Sequence, residues 1–130
     1  MSWAQASGNS QICRRPLGTI LHGPSAVRRA IESAVAAVFE VDVNELHARS
    51  RGSARTAFAR QVAMYLAHVA CGISLTDVGV LFGRDRTTVA HACGLVEDRR
   101  DDPDLDCRLE HLEGAVSCLI DALSMRRGGR

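Results

Sequence analysis

The chain has 130 residues, enough for one small domain with its own core and too few for two ordinary domains. Apolar residues make up 46% and aromatic residues only 4%, a composition that suits packed helices better than a β-sandwich. The net charge of +1 excludes a uniformly basic protein, yet all 16 basic residues are Arg, whose planar side chain suits phosphate oxygens and guanine edges.

The charge is unevenly distributed along the chain. Residues 49–60 carry four Arg and no acidic residue, whereas acidic residues collect in 97–106 and 110–121. A protein whose positive charge is concentrated in one region can attract a polyanion to that region even when its net charge is close to zero. The five Cys residues are an odd number without a C-x-x-C pair, which favours reduced, buried thiols.

The first part of the chain predicts a tail followed by two helices. Residues 1–24 lack periodicity and are interpreted as a disordered, solvated tail, although its two adjacent Arg could also touch phosphate. A helix is predicted over 25–39 with Ser25 as its N-cap. A short helix should follow Val41, capped by Asp42 or Asn44, and then a basic loop over 48–53.

The second part predicts four further helical features, each with a local start or stop signal. A long helix is expected over 53–71, ended by Gly72, and a capping box at Ser74–Asp77 starts the next helix, which ends near Gly83. Another helix should run to about residue 100, and Pro103 should start the last one. Its apolar face is formed by Leu105, Leu109, Leu112, Val116, Leu119, Ile120 and Leu123, and the basic tail 126–130 should fray.

A short helix, a Gly-containing turn and a polar helix N-terminus are the parts of a helix-turn-helix, which reads DNA in the major groove. The free amides at such an N-terminus attract phosphate. Arg86 can reach guanine through two hydrogen bonds, and a Thr methyl can pack on thymine. Asp85 can accept from cytosine or cap the helix, and Thr87 and Thr88 have the same two interpretations, reading or capping.

Three segments in order resemble one family. Arg60–Leu66 matches the pattern R-Q-x-A-M-x-L, Ser74–Gly83 is similar to S-L-x-x-I-G-x-x-F-G, and Gly83–Val89 followed by His91–Cys93 is similar to R-D-H-T-T-V and H-A. Residues 25–124 thereby resemble the C-terminal DNA-binding domain of the bacterial replication initiator DnaA. The resemblance implies an all-α, TrpR-like helix-turn-helix bundle of five to six helices.

The resemblance also implies roles for individual residues. His91 lies one turn past Thr87 and is either a phosphate contact or a helix-packing residue. Arg51, or in second place Arg49, would enter the minor groove from the basic loop. Base contacts are expected from Arg51, Asp85, Arg86, Thr87 and Thr88, and phosphate contacts from Arg49, Arg60, Gln61, Leu75, Thr76, Arg84 and His91.

The chain departs from the family pattern at three places. Arg86 stands where the family has His, the turn has one Gly instead of two, and the basic loop is one residue longer, with Phe58 and Ala59 replacing Arg-Pro. The Arg at position 86 adds either a guanine-directed fork or a phosphate contact, which puts the initiator's preferred sequence in doubt for this chain.

These observations predict a non-enzymatic, sequence-specific binder of double-stranded DNA. No G-x-x-x-x-G-K-[ST] motif occurs, so neither a nucleotide site nor ATPase activity is expected in this stand-alone domain, and no cofactor. It would regulate transcription or modulate replication initiation at origin-type sites, in the cytoplasm at the nucleoid and without a membrane segment. The alternative is a protein-interaction module that has lost DNA reading.

The His and Cys residues and the last helix each allow a functional interpretation besides ordinary packing. His68 with Cys71, and Cys107 with His111, could together supply four zinc ligands, but buried Cys and surface His are favoured, so no metal is expected. Cys93 is a redox sensor or a small buried residue. The apolar stripe of the last helix is either core or the seam of a homodimer.

Overall fold

The computed structural model describes residues 24–47 and 53–128, and these form six α-helices and one 3-10 turn without any strand. The all-α class predicted from the composition is therefore confirmed. The elements are α1 (Pro24–Phe39), α2 (Val43–His47), α3 (Ala54–Val69), α4 (Leu75–Phe82), α5 (Arg86–Asp98), the 3-10 turn (Arg99–Asp101) and α6 (Pro103–Gly128).

The first two helices begin at local signals, one of which differs from the prediction. Helix α1 starts at Pro24, so Ser25 lies inside its first turn and is not the N-cap. Pro is well suited to this position because its missing N–H would have no helical partner there. Asp42 caps α2 as predicted, since its Oδ1 accepts a hydrogen bond from the Asn44 backbone N at 2.8 Å.

Helix α3 lies at the centre of the bundle and contacts all five other helices. Ser53 is its N-cap and accepts from the Thr56 amide at 3.1 Å. The helix ends at Val69, two residues before the predicted end, and Gly72 then adopts the left-handed conformation with φ 73°. His68 Nδ1 lies 2.7 Å from the Ile73 carbonyl oxygen and holds this turn closed.

Helix α6 covers one side of α1 and α3. Its buried residues at helical spacing are core, which removes them from any dimer seam: Leu105, Leu109, Leu112, Val116 and Ile120. Leu119 was expected on the same face and is instead 42% exposed, because it lies one step round the helix from that stripe. The side chain of Leu123 lies outside the described residues. The helix continues to Gly128 and thus into the predicted basic tail 126–130, of which residues 129 and 130 lie outside the described residues.

A charged network joins α3, α5 and α6 around a buried tyrosine. The Tyr65 hydroxyl donates to Glu97 Oε1 at 2.8 Å, and burial followed by this hydrogen bond raises the pKa of Tyr65. Arg100 donates from Nη1 to Tyr65 Oη at 2.8 Å and to Glu113 at 2.7 Å, and from Nε to Asp106. The network fixes the C-terminal end of α5 on the scaffold, which leaves its N-terminal end for other contacts.

Candidate nucleic-acid interface

Helices α4 and α5 and the three residues between them form a helix-turn-helix. Ser74 Oγ accepts from the Asp77 amide at 3.1 Å, which confirms the hydroxyl half of the predicted capping box. Gly83 ends α4 in the left-handed conformation with φ 68°, and the Arg84 amide donates to the Gly79 carbonyl at 2.9 Å. These bonds close the turn with the single Gly that the sequence provides.

Gly79 is a second requirement of the turn, and it was not among the predicted site residues. A Cβ atom at this position would lie 2.6 Å from the Arg84 carbonyl oxygen, closer than such atoms approach each other. The signal in the sequence is a Gly inside an apolar helical pattern, where Gly is less favourable than Ala and therefore indicates a packing requirement.

The start of α5 presents its polar side chains to solvent. Asp85 occupies the N-cap position, but its carboxylate makes no capping hydrogen bond. Arg86, Thr87 and Thr88 are exposed, and Arg84 is half-buried. Neither the Arg84 side chain nor the Arg86 side chain has a hydrogen bond or ion pair with any other residue that the structure describes. The two guanidinium groups are therefore available to an external acceptor.

The opposite face of α5 holds it in the core. Val89, Ala92, Cys93 and Val96 are buried, as their spacing predicted. His91 is exposed, which excludes the helix-packing interpretation and leaves it on the solvent side of the helix.

The flanking site residues have different surroundings. Thr76 is exposed at the start of α4, whereas Leu75 and Gln61 are half-buried. Arg60 carries an internal role that the sequence did not reveal: its Nε donates to the Leu46 carbonyl at 3.1 Å and its Nη2 to the carbonyl of the preceding Glu45 at 2.9 Å. Arg60 thus caps the C-terminal end of α2. The predicted loop contacts, Arg49 and Arg51, lie outside the described residues.

The two His–Cys pairs do not assemble into a metal centre. Within residues 24–47 and 53–128, no group of three or more His, Cys, Asp or Glu side chains could hold a metal ion. His68 Nδ1 is hydrogen-bonded to a backbone carbonyl, and Cys107 Sγ lies 3.9 Å from His111 Nδ1 at the surface of α6.

Within residues 24–47 and 53–128, no helix is both long and apolar enough to cross a membrane.

Phe58, which departs from the family pattern, is used inside the fold. Its ring packs edge-on against Phe39, with the ring centroids 6.0 Å apart, and the Arg99 guanidinium lies 4.7 Å above its centroid. The Phe58 ring is therefore used in packing between elements of the fold.

The Cys93 thiol is buried, and burial raises its pKa to about 12. Only the thiolate reacts readily with disulfide reagents, so at pH 8 the folded protein should be labelled at the exposed Cys107 and Cys118 at least roughly 100-fold faster than at Cys93. Peptide mass spectrometry after timed labelling measures these rates, and labelling in urea should equalise them. Equal rates in the folded protein would support the redox-sensor interpretation instead.

The sequence of this chain matches a known protein family. The family model described as "Bacterial dnaA protein helix-turn-helix" matches residues 29–96, which run from α1 into α5 and leave α6 outside. Chromosomal replication initiator protein DnaA 2 of Chlamydia trachomatis is 37% identical over 89 residues, covering 66% of this chain and 19% of the relative. DnaA of Bordetella avium is 38% identical over 96 residues, covering 71% of this chain and 20% of the relative.

A third relative, Chromosomal replication initiator protein DnaA 1 of Protochlamydia amoebophila, is 46% identical over 72 residues, covering 53% of this chain and 15% of the relative. The chain thus spans only about a fifth of the length of such relatives, and the match falls on the helix-turn-helix. The chain belongs to the helix-turn-helix family of bacterial DnaA proteins, a family of DNA-binding domains.

Proposed function

We propose that the protein binds duplex DNA sequence-specifically through α4, the turn and α5, and that it thereby regulates transcription or modulates replication initiation at origin-type sites. The observation that carries this proposal is the turn and the start of α5, where the side chains of Arg84 and Arg86 have no partner among the described residues and Thr87 and Thr88 are exposed.

The chemistry of this helix end suits both phosphate and base edges. The first amides of α5 have no helical acceptor, and Asp85 leaves them without a side-chain cap, so they can bind phosphate oxygens. The short Thr side chains let the helix approach the base edges, where Arg86 can bond guanine and Asp85 can accept from cytosine. His91, which is exposed one turn past Thr87, is assigned to a phosphate.

The flanks of the helix-turn-helix would hold the duplex in register. Thr76 and the amide of Leu75 at the start of α4, together with Gln61 on α3, are assigned to phosphates. Arg51 is assigned to the minor groove, with Arg49 as the second candidate for that role and otherwise a phosphate contact. Arg60 anchors α2 through its backbone contacts and adds positive charge to this side of the molecule. Phosphate contacts fix position, and base contacts select sequence.

Duplex binding by this chain should need no nucleotide, since the sequence contains no P-loop motif. The affinity for DNA is therefore expected to be unchanged when ATP and Mg²⁺ are added. A clear change with ATP would overturn this part of the proposal.

A salt series of duplex binding tests the proposal. The logarithm of the binding constant should fall linearly with the logarithm of salt concentration, by about 0.9 for each neutralised phosphate. Arg84→Ala should weaken binding to all sequences and reduce the slope by about one. Arg108→Ala is the matched control, because Arg108 is exposed on α6 away from the helix-turn-helix. A flat salt response, or no binding at low salt, would favour the protein-interaction alternative.

A further inference from the structure

One buried carboxylate connects the helix-turn-helix to the end of α2. The Glu32 side chain on α1 is only 3% exposed. Its Oε2 accepts from Arg28 Nε at 2.9 Å, and its Oε1 lies 2.9 Å from His47 Nδ1. A carboxylate this deeply buried is stable only because both oxygens have partners.

Each partner of Glu32 reaches a different part of the proposed interface. Arg28 continues to α4, where its Nη1 donates to the Leu81 carbonyl at 3.3 Å and its guanidinium lies 5.0 Å from the centroid of the Phe82 ring. His47 is the last residue of α2. Glu32 therefore holds the end of α4, just before the turn, and the end of α2 at one point.

Arg60 binds the same end of α2. Its two bonds to the carbonyls of Glu45 and Leu46 come from α3, so the last turn of α2 is held by two independent helices. Arg28, Glu32, His47, Arg60 and Arg84 line one cleft of about 320 Å³. This cluster, Arg28, Glu32, His47 and Arg60, is called the clamp below. It is adjacent to Arg84, the arginine in the turn before the recognition helix α5.

We infer that Glu32, through Arg28 and His47, is a positioning residue that sets the distance between the recognition helix and the point where the chain leaves α2. This inference rests on the proposed function, in which the residues immediately after His47 carry the minor-groove arginine. Two DNA-contacting parts that are held at a fixed spacing engage the duplex as one unit, because little ordering remains to be done on binding.

His47→Ala is the decisive variant, because the His47 side chain is 58% exposed and lies outside the apolar core. We expect it to weaken duplex binding about threefold to tenfold. The thermal midpoint should also fall, because Glu32 Oε1 loses its partner, so binding is measured at a temperature at which the variant is folded. In an Arg51→Ala background the same substitution should weaken binding less than about twofold, since the residue it positions is gone. Asn44→Ala, at an exposed site on α2, is the matched control and should leave binding unchanged.

The double-substitution cycle separates positioning from the other roles of a histidine. If His47 binds a phosphate itself, its effect will add to that of Arg51→Ala and lower the salt slope, and the inference fails. An unchanged affinity in His47→Ala also overturns it. Failure of the proposed function is distinguishable, because the unsubstituted protein would then not bind duplex DNA, or Arg51→Ala would have no effect.

Glu32→Gln supplies a second check on the same clamp. Gln keeps the shape of the side chain but removes the charge that pairs with Arg28, so the stability of this variant must be measured beside its affinity. If it folds, its loss of affinity should not add to that of His47→Ala, because both changes release the same end of α2. Full additivity of the two losses would contradict the clamp.

Discussion

Gly79→Ala should destabilise the protein by about 1–3 kcal/mol and weaken duplex binding more than tenfold. The added Cβ would lie 2.6 Å from the carbonyl oxygen of Arg84, which is backbone and cannot move aside by a rotamer change. The gain in helix propensity of about 0.5–1 kcal/mol is smaller than this overlap, so the overlap decides the sign. Relief requires α4 and the turn to separate, which displaces the start of α5 from its place.

Two other glycines provide controls for this prediction. A Cβ at Gly94 on α5 would meet nothing within 4 Å, so Gly94→Ala should leave stability unchanged or raise it by about 0.5–1 kcal/mol. Gly83→Ala also meets no neighbour, but its φ of 68° should cost about 1–2 kcal/mol. Urea unfolding followed by circular dichroism measures the stability of all three variants, and duplex titration measures their affinity for DNA. A Gly79→Ala protein as stable and as tightly bound to DNA as Gly94→Ala would contradict the close-packed turn.

The helices that the sequence predicted well are those whose ends are determined locally. Ser74, Gly83 and Pro103 act within a few residues, so the limits of α4 and the start of α6 follow from the residue pattern. Ser25 shows the limit of this reasoning, because the neighbouring Pro24 is also a good helix start and only the backbone decides between them.

The features that the sequence did not reveal depend on residues distant in the chain. Arg60 reads as a phosphate ligand in the family pattern, yet it donates to carbonyls 14 and 15 residues earlier. The sequence gives no sign that Glu32 is buried, because its burial depends on its contacts with Arg28 and with His47, which lies 15 residues later. Tertiary pairs of this kind have no periodic signal, and they are what orients the predicted site.

Arg86 is the residue whose departure from the family bears most on what the protein reads. It is the first residue of α5, it is exposed, and its side chain has no hydrogen bond or ion pair within the described part of the chain. A His at this position offers at most one donor to a base edge, whereas Arg offers two that match guanine O6 and N7. If the side chain reads a base, the base it prefers should therefore change with the residue.

Arg86→His is expected to shift sequence preference toward the site read by family members with His, by about 1–3 kcal/mol, or roughly 5-fold to 150-fold. Binding-site selection with both proteins measures the shift, and fluorescence titration on the two winning duplexes gives its size. Arg108→His makes the same chemical change at an exposed position on α6 and should return the unsubstituted motif. If Arg86 instead binds a phosphate, the motif will stay the same and affinity will fall equally for all sequences, with a shallower salt slope. The same measurements thus distinguish an Arg86 that contacts a base and changes the sequence preference from an Arg86 that only binds a DNA phosphate.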